Sequence, residues 1–126
     1  AQTTYGCSDL MQAAGAGNIN MVEFFLEKGF PVSTTGDDGS TALHCAARAG
    51  QTATVEYLVH RGAPIEVQND RLRTPLHEAV SSRTRTIVAL LIRLGTNIRA
   101  RDFKGRTPIH YSVQGDDVEI TRLIIE

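Results

Sequence analysis

The chain has 126 residues, the size of one globular domain, and 41% of them are hydrophobic while 21% are charged. Thirteen Lys and Arg against fourteen Asp and Glu give a net charge of −1, which argues against a general polyanion binder. No apolar run approaches the ~20 residues of a membrane-spanning helix, and the two cysteines, Cys7 and Cys45, show no framework spacing, which favours free thiols.

A four-residue pattern recurs along the chain with a period of 33 residues. Thr41–His44 returns as Thr74–His77 and as Thr107–His110, and Ser8–Met11 is a degenerate first copy. Further columns keep the same spacing: Gly29, Gly62 and Gly95; Val22, Val55 and Val88; Ala13, Ala46, Ala79 and Ser112; Val32, Ile65 and Ile98. Such self-similarity is the signature of a repeat protein. We therefore predict four units, at about 3–35, 36–68, 69–101 and 102–126, with the last one truncated or serving as a C-terminal cap.

The first half of each unit reads as a short helix. Thr74 is placed to cap the helix with its hydroxyl, and Pro75 follows at the first helical position, where its missing N–H costs nothing. Leu76, Ala79 and Val80 then have the i, i+3, i+4 spacing of one buried face. The same pattern predicts first helices at the corresponding positions of the other units.

The second half of each unit reads as another short helix and a polar turn. Gly50 breaks the chain after the first helix, since glycine accepts positive φ angles. Val55 and Leu58 repeat the buried spacing, and Gly62 lies where a left-handed residue ends a helix. A polar segment such as 69–73 then leads into the next unit. Each unit is thus predicted to be a helix–turn–helix joined to its neighbour by a turn.

These features resemble the ankyrin repeat, and the resemblance covers essentially the whole chain. It rests on the Thr-Pro-Leu-His motif, the small residues after it, the glycine between the helices, the Val-x-x-Leu run and the Gly-Ala of 62–63. The resemblance implies an all-α ankyrin-repeat solenoid whose helix–turn–helix units are joined by β-turn or hairpin tips. It also implies that the repeated histidine supports the turn beside the threonine.

Two units depart from the pattern. Arg83 occupies the column of Gly50 in the third unit, so we expect a strained turn there, by about 0.5–1 kcal/mol relative to glycine. The fourth unit has Asp116 in this column, with Gly115 one position earlier. The fourth unit reaches Glu126 without a closing glycine or polar turn, and Leu123, Ile124 and Ile125 are expected to be partly unprotected.

The residues that could support metal binding or catalysis favour structural roles. Equivalent side chains of stacked helices lie about 10 Å apart, too far for His44, His77 and His110 to share one metal ion. Cys45 follows His44 directly, and neighbours on a helix point in different directions, so a thiol–imidazole pair is disfavoured. The segment 36–40 lacks the lysine of a phosphate loop, and its acids lack calcium-loop spacing. We predict no enzyme activity and no cofactor.

Charge is distributed unevenly along the chain. Residues 1–63 carry a net charge of −3 and residues 64–126 a net charge of +2, and nine basic residues against two acidic ones fall between 71 and 106. A basic patch on the turn tips would attract an acidic partner, whereas the alternative is a merely solvated surface. Nucleic acid is disfavoured as a partner, because neither the net charge nor a pattern of interleaved aromatic residues supports it.

The resemblance implies a binding surface built from the turn tips and the exposed positions of each first helix. Phe103 is its most informative member, because this large apolar residue lies in a turn with no core face to fill; the alternatives are folding back on its own turn or packing on a further repeat. The predicted partner-binding residues are Asp37, Asp38, Arg48, Asp70, Arg71, Arg73, Glu78, Phe103, Lys104, Arg106, Tyr111 and Gln114, with Ser40, Cys45, Ala49, Ser81 and Ser82 as further candidates.

The leading functional hypothesis is a non-enzymatic module that binds a protein partner, one with an acidic segment if the basic tips take part, through its concave face. One alternative is a structural segment of a longer array. Another is a regulatory or targeting domain attached to an enzyme, channel or effector. We expect a monomer without membrane insertion. The residues before Cys7 show no signal-peptide pattern, which with the free thiols suggests a cytoplasmic or nuclear location.

Overall fold

The computed structural model describes the backbone of residues 3–126 and the side chains from residue 9 onward. The side chain of Cys7, one of the two predicted free thiols, lies outside the described residues. Eight helices span residues 3–126: α1 (Thr3–Gly15), α2 (Ile19–Glu27), α3 (Ala42–Arg48), α4 (Thr52–His60), α5 (Pro75–Ser81), α6 (Arg85–Arg93), α7 (Pro108–Gln114) and α8 (Val118–Ile125).

The helices stack in two rows. The first helices of the four units, α1, α3, α5 and α7, pack on one another in chain order, and each also packs on the second helix of its own unit. Helices α4, α6 and α8 form a second row. This arrangement confirms the predicted all-α repeat solenoid.

The Thr–His pair of the repeated motif closes the start of the first helix in the second, third and fourth units. In the third unit, the Thr74 hydroxyl accepts a hydrogen bond from the His77 N–H at 3.3 Å. The His77 ring returns the contact, because its Nδ1 accepts from the Thr74 N–H at 3.1 Å. Thr41 and His44 repeat the arrangement in the second unit. These reciprocal bonds satisfy backbone donors that the helix leaves free, as predicted for the threonine.

The core lies between the two rows and follows the predicted columns. Leu10, Leu43 and Leu76 are fully buried at equivalent positions, and Val55 and Val88 are buried beneath them. Burying a leucine side chain contributes about 1.5–3 kcal/mol, so this column stabilises three successive units.

Backbone with positive φ angles separates the paired helices. Gly17 and Gly50 have φ angles of 75° and 74°, and Arg83 and Asp116 adopt φ 58° in the same column. Arg83 and Asp116 therefore adopt the left-handed conformation that the glycines of this column adopt. Arg83 has a partner in this position, since its guanidinium donates to the Gly115 carbonyl of the next unit at 2.7 Å.

The units are joined by tight turn tips on one side of the solenoid. In the third unit the Asn69 N–H donates to the Arg73 carbonyl at 3.0 Å, and in the fourth the Asp102 N–H donates to the Arg106 carbonyl at 2.9 Å. Successive tips are also bonded to each other, because the Asp70 N–H donates to the Asp38 carbonyl at 2.9 Å. Among residues 3–126, no helix is long and apolar enough to cross a membrane.

Candidate functional site

Two buried side chains hold the tips of the third and fourth units in shape. Asn69 Oδ1 accepts from the backbone N–H groups of Arg71 and Arg73 at 3.0 and 3.1 Å. In the fourth unit, Asp102 Oδ1 accepts from those of Lys104 and Arg106 at 3.0 and 2.9 Å. Each tip is therefore a braced loop that presents the side chains at its outer positions in a fixed geometry.

A buried carboxylate lies between two arginines where the second and third units meet. Arg48 donates to both oxygens of Glu78, with its Nε 3.2 Å from Oε1 and its Nη2 3.1 Å from Oε2. Arg73 Nε lies 3.4 Å from Oε2 on the other side, and Asn69 Nδ2 contacts the same oxygen at 3.4 Å. Burial alone would raise the pKa of Glu78, but the hydrogen bonds and charges of Arg48 and Arg73 outweigh it and hold the pKa below its usual value.

The predicted outward orientation of Glu78 is wrong. Only 3% of this residue is exposed, and Ser40, another predicted tip residue, is buried as well. The cause is long side chains reaching across from neighbouring positions, since Ser40 Oγ accepts from Arg48 Nη2 at 3.1 Å. One sequence signal existed, because Arg48 and Glu78 carry opposite charges close to one repeat period apart. We call Arg48, Arg73 and Glu78 the inter-unit ion cluster.

Tyr111 is half-buried, and the guanidinium groups of two arginines lie next to its ring. Arg73 Cζ lies 4.9 Å and Arg106 Cζ 5.7 Å from the ring centroid, and the His77 ring meets it edge-on at 5.9 Å. Its hydroxyl donates to Asp102 Oδ2. Burial, followed by this bond to a carboxylate, raises the pKa of the tyrosine. Tyr111 was expected to look outward, but a large part of its surface already braces the third and fourth units.

Phe103 is exposed at the tip of the fourth unit, with 55% of its surface accessible. It is not part of the buried core, and the Nζ atom of its neighbour Lys104 lies 5.5 Å from its ring centroid. Arg71 is exposed at the tip of the third unit. The other exposed members of the predicted set are Asp37, Asp38, Arg48, Asp70, Lys104 and Gln114, whereas Arg73 and Arg106 are partly covered.

Leu72 is a surface residue that the sequence reasoning did not single out. It is 45% exposed, and its φ angle of 60° lies in the left-handed region. The equivalent residues Gly39 and Gly105 both have φ 76°. A leucine flanked at the repeat period by two glycines was the available sequence signal. The tip residues Arg71, Leu72, Arg101, Phe103 and Lys104 are named the tip patch below.

The cations of the tip patch have no carboxylate partner in the described part of the chain. The ion pairs within 4.0 Å among those residues involve Arg48, Arg73 and Arg122, and none of them includes Arg71, Arg101 or Lys104. The nearby Asp102 is buried and engaged, since burial would raise its pKa but the Tyr111 hydroxyl and two backbone N–H groups lower it. The patch therefore combines two exposed apolar side chains with unpaired positive charge.

The repeated histidines have no free ring nitrogen in the second and third units. His44 Nδ1 accepts from the Thr41 N–H, so its Nε2 carries the proton and donates to the Arg73 carbonyl at 2.8 Å. His77 bonds the Arg106 carbonyl in the same way at 3.0 Å. Among the described residues, no three His, Cys, Asp or Glu side chains are grouped as metal ligands would be.

Cys45 has the chemistry of a poorly activated thiol. It is partly buried and carries no disulfide. Burial raises the pKa of its thiol, which lowers the fraction present as the nucleophilic thiolate. The His44 ring beside it in sequence is already bonded to Thr41 and to the Arg73 carbonyl.

Comparison with known protein families gives one match. A family model described as ankyrin repeats, in three copies, matches residues 1–69 and 63–126. No curated protein matches the sequence. The two matched segments together include every helix described above.

Proposed function

We propose that this chain, which belongs to the ankyrin repeat family, binds a protein partner through its concave face, the surface formed by the turn tips and first helices. Ankyrin repeats are generally protein–protein interaction modules, and the family is generally non-enzymatic.

The observation that carries the proposal is the exposure of Phe103 on a braced tip. Large aromatic side chains and arginines are the usual anchors of protein interfaces, and a loop held in its bound shape loses little entropy on binding. Phe103 lies between the N–H groups of Asp102 and Lys104, both of which are hydrogen-bonded. Its position is therefore set by the backbone, although more than half of its surface is exposed.

On this face, the histidines and the cysteine that the structure describes already have structural surroundings. The rings of His44 and His77 are occupied by structural bonds, and the pKa of the Cys45 thiol is raised. We therefore propose a binding role without chemistry of its own. We also propose a cytoplasmic or nuclear location, which the free thiol of Cys45 supports.

A second candidate function is that of a segment in a longer array. The far end of the fourth unit exposes 63% of Val113, whereas Val80, its equivalent in the third unit, is 3% exposed because the next unit covers it. Val118 and Ile125 are exposed beside Val113. An apolar end face of this kind favours stacking of another element on α7 and α8.

Site-specific photocrosslinking in cell extract tests the leading proposal. A benzophenone amino acid replaces Phe103 in one variant and His60, an exposed residue at the end of α4, in a matched control. We expect a discrete protein adduct from position 103 and none from position 60. Adducts only from position 60 would exclude the concave face. Adducts only from a third variant labelled at Val113 would favour the array.

A further inference from the structure

Leu72 holds a strained conformation that the neighbouring units avoid. The left-handed region costs an L-residue about 1–2 kcal/mol, and the equivalent tip positions are occupied by Gly39 and Gly105. The exposed side chain gains little from packing in return, since 45% of the residue is accessible. Arg83 holds the same conformation, but its guanidinium bonds the Gly115 carbonyl, whereas the Leu72 side chain has no polar group with which to offset the strain.

Hydrogen bonds tie the tip that carries Leu72 to the tip that carries Phe103. The Phe103 N–H donates to the Arg71 carbonyl at 2.9 Å, which ties the fourth tip to the residue before Leu72. Gln68 Nε2 adds a second link, because it donates to the Leu72 carbonyl at 2.9 Å and to the Arg101 carbonyl at 3.3 Å. The two apolar side chains therefore project from tips that cannot easily move apart.

The charge around these two side chains selects the chemistry of the partner. Arg71, Arg101 and Lys104 flank them without a carboxylate partner in the described residues. Exposed acids lie close to the patch, with Asp70 in the same tip and Asp37 and Asp38 in the tip of the second unit, and they would repel an extended phosphate backbone. A protein segment with a few acids around an apolar residue matches this surface better than a uniform polyanion does.

We propose that the tip patch docks an acidic protein segment whose apolar side chain inserts between Leu72 and Phe103. This inference rests on the proposed function and specifies the partner class for it. The apolar contact supplies affinity, while the acidic flanks pair with Arg71, Arg101 and Lys104. Tyr111 and the inter-unit ion cluster support the tips from beneath and are not the principal contacts.

Selection of random linear peptides on the immobilised chain tests the partner chemistry without a known ligand. The expected result is a family of sequences with Asp or Glu on both sides of a large apolar residue. We expect their affinity, measured by fluorescence anisotropy, to fall as salt is raised, because exposed charge pairs are screened. Selected peptides that are basic or neutral, or a failure to select any peptide, would overturn the inference.

Three tip variants then test the location. Phe103→Ala is expected to weaken binding of a selected peptide by about thirty-fold, the loss typical of an interface hot spot. Lys104→Glu is expected to weaken it and to reduce its salt dependence. Arg93→Glu, which makes the same charge change at the exposed end of α6, is the control and is expected to leave affinity unchanged. If Lys104→Glu and Arg93→Glu lower the affinity equally, net charge alone explains the effect, and the proposed location of the site is wrong.

A pair of changes at Leu72 separates side chain from backbone. Leu72→Ala removes the apolar group but retains the strained φ angle, whereas Leu72→Gly removes both. We expect both variants to lose affinity. We also expect Leu72→Gly to melt at a higher temperature than Leu72→Ala, because only glycine relieves the strain. Unchanged affinity in both would remove Leu72 from the site.

The outcomes distinguish this inference from the proposed function. If peptide binding is lost with Asp38→Arg and not with the tip-patch variants, the chain is still a binding module, but its site lies elsewhere. Binding of a single-stranded oligonucleotide that is lost with Phe103→Ala would replace the protein segment by nucleic acid. Self-association measured by light scattering and lost with Phe103→Ala would make a second copy the occupant. An inert chain in the peptide and the crosslinking experiments alike would contradict both proposals.

Discussion

The inter-unit ion cluster and the tip patch are both rich in arginine on the same side of the solenoid, but their side chains have different partners. Arg48 and Arg73 are bonded to the buried Glu78, whereas Arg71 pairs with no carboxylate in the described residues. The polar groups of the ion cluster thus join neighbouring units, whereas the charged groups of the tip patch are available to another molecule. An exposed column in a repeat is therefore not by itself a binding position, because cross-unit bonds can already occupy it.

The same contrast exists between two leucines in one unit. Leu76 is fully buried in α5, while Leu72, four residues earlier, is exposed on the tip. We expect Leu76→Ala to lower the free energy of unfolding by about 2–5 kcal/mol, since it removes packed atoms and leaves a cavity. Leu72→Ala is expected to stay within about 0.5 kcal/mol of the wild type.

Urea unfolding followed by far-UV circular dichroism measures both leucine variants. A four-unit domain has about 5–15 kcal/mol in total, so the Leu76 change alone accounts for a large share. A comparable loss from Leu72→Ala would mean that the tip is part of the core, and the division between the two regions would not stand.

Removing the charge from Glu78 is the next largest test. Glu78→Gln leaves Arg48 and Arg73 without their shared carboxylate at a buried site, and we expect a loss of about 1–3 kcal/mol. The partial exposure of Arg48 keeps the value below that of a fully buried pair. The same urea titration applies, with Arg71→Ala as the control in the tip patch.

We expect the Arg71→Ala control to remain within about 0.5 kcal/mol of the wild type. A stable Glu78→Gln protein that also binds the selected peptides less tightly would contradict the assignment of Glu78 to the scaffold.

Acidification is expected to weaken the stacked units before it affects the carboxylates. Burial lowers the pKa of His44 and of His77 below the ordinary value near 6.5, and Nδ1 of each ring already accepts a backbone N–H. The unfolded chain therefore takes up protons below about pH 6.5 that the folded chain resists, so stability falls as the pH decreases toward the folded pKa values. Glu78 has a lowered pKa, and its contribution is lost only as the pH falls below about 4.5, the ordinary glutamate value.

Urea midpoints at pH 7.5 and 5.5 measure this effect. The wild type is expected to be less stable at the lower pH, and His44→Gln, whose amide keeps a donor and an acceptor, is expected to lose part of that difference. His60→Gln on the exposed end of α4 is the control and is expected to behave as the wild type. An identical pH response in His44→Gln would exclude the histidines as its source.

The sequence predicts the scaffold well because its determinants are local and repeated. The cap at Thr74, the proline after it and the glycine at position 50 each act within a few residues, and the period of 33 residues shows which columns face the core. The period does not show which side chains reach across units. Glu78 was therefore assigned to the outer surface, although Arg48 bonds it from the preceding unit. The partner-binding set remains a prediction, because it depends on a molecule outside the chain.

The smallest expected effect tests whether the tip conformation is strained at all. Leu72→Gly relieves a left-handed leucine at φ 60° but adds backbone entropy to the unfolded chain, so we expect a net gain of about 0.5–1 kcal/mol. Gly105→Ala is the mirror experiment, because a Cβ added there meets no atom within 4 Å and only the φ angle of 76° opposes it. It is expected to cost about 1 kcal/mol.

Each change at the tips corresponds to a few degrees in melting temperature, which calorimetry resolves. Opposite signs for Leu72→Gly and Gly105→Ala would show that the two tips share one backbone requirement, which Leu72 meets at a cost. A loss of stability in Leu72→Gly would mean that the leucine side chain stabilises its own tip. Its exposure beside Phe103 would then carry no information about binding, and the difference between the tip patch and the inter-unit ion cluster would rest on charge alone.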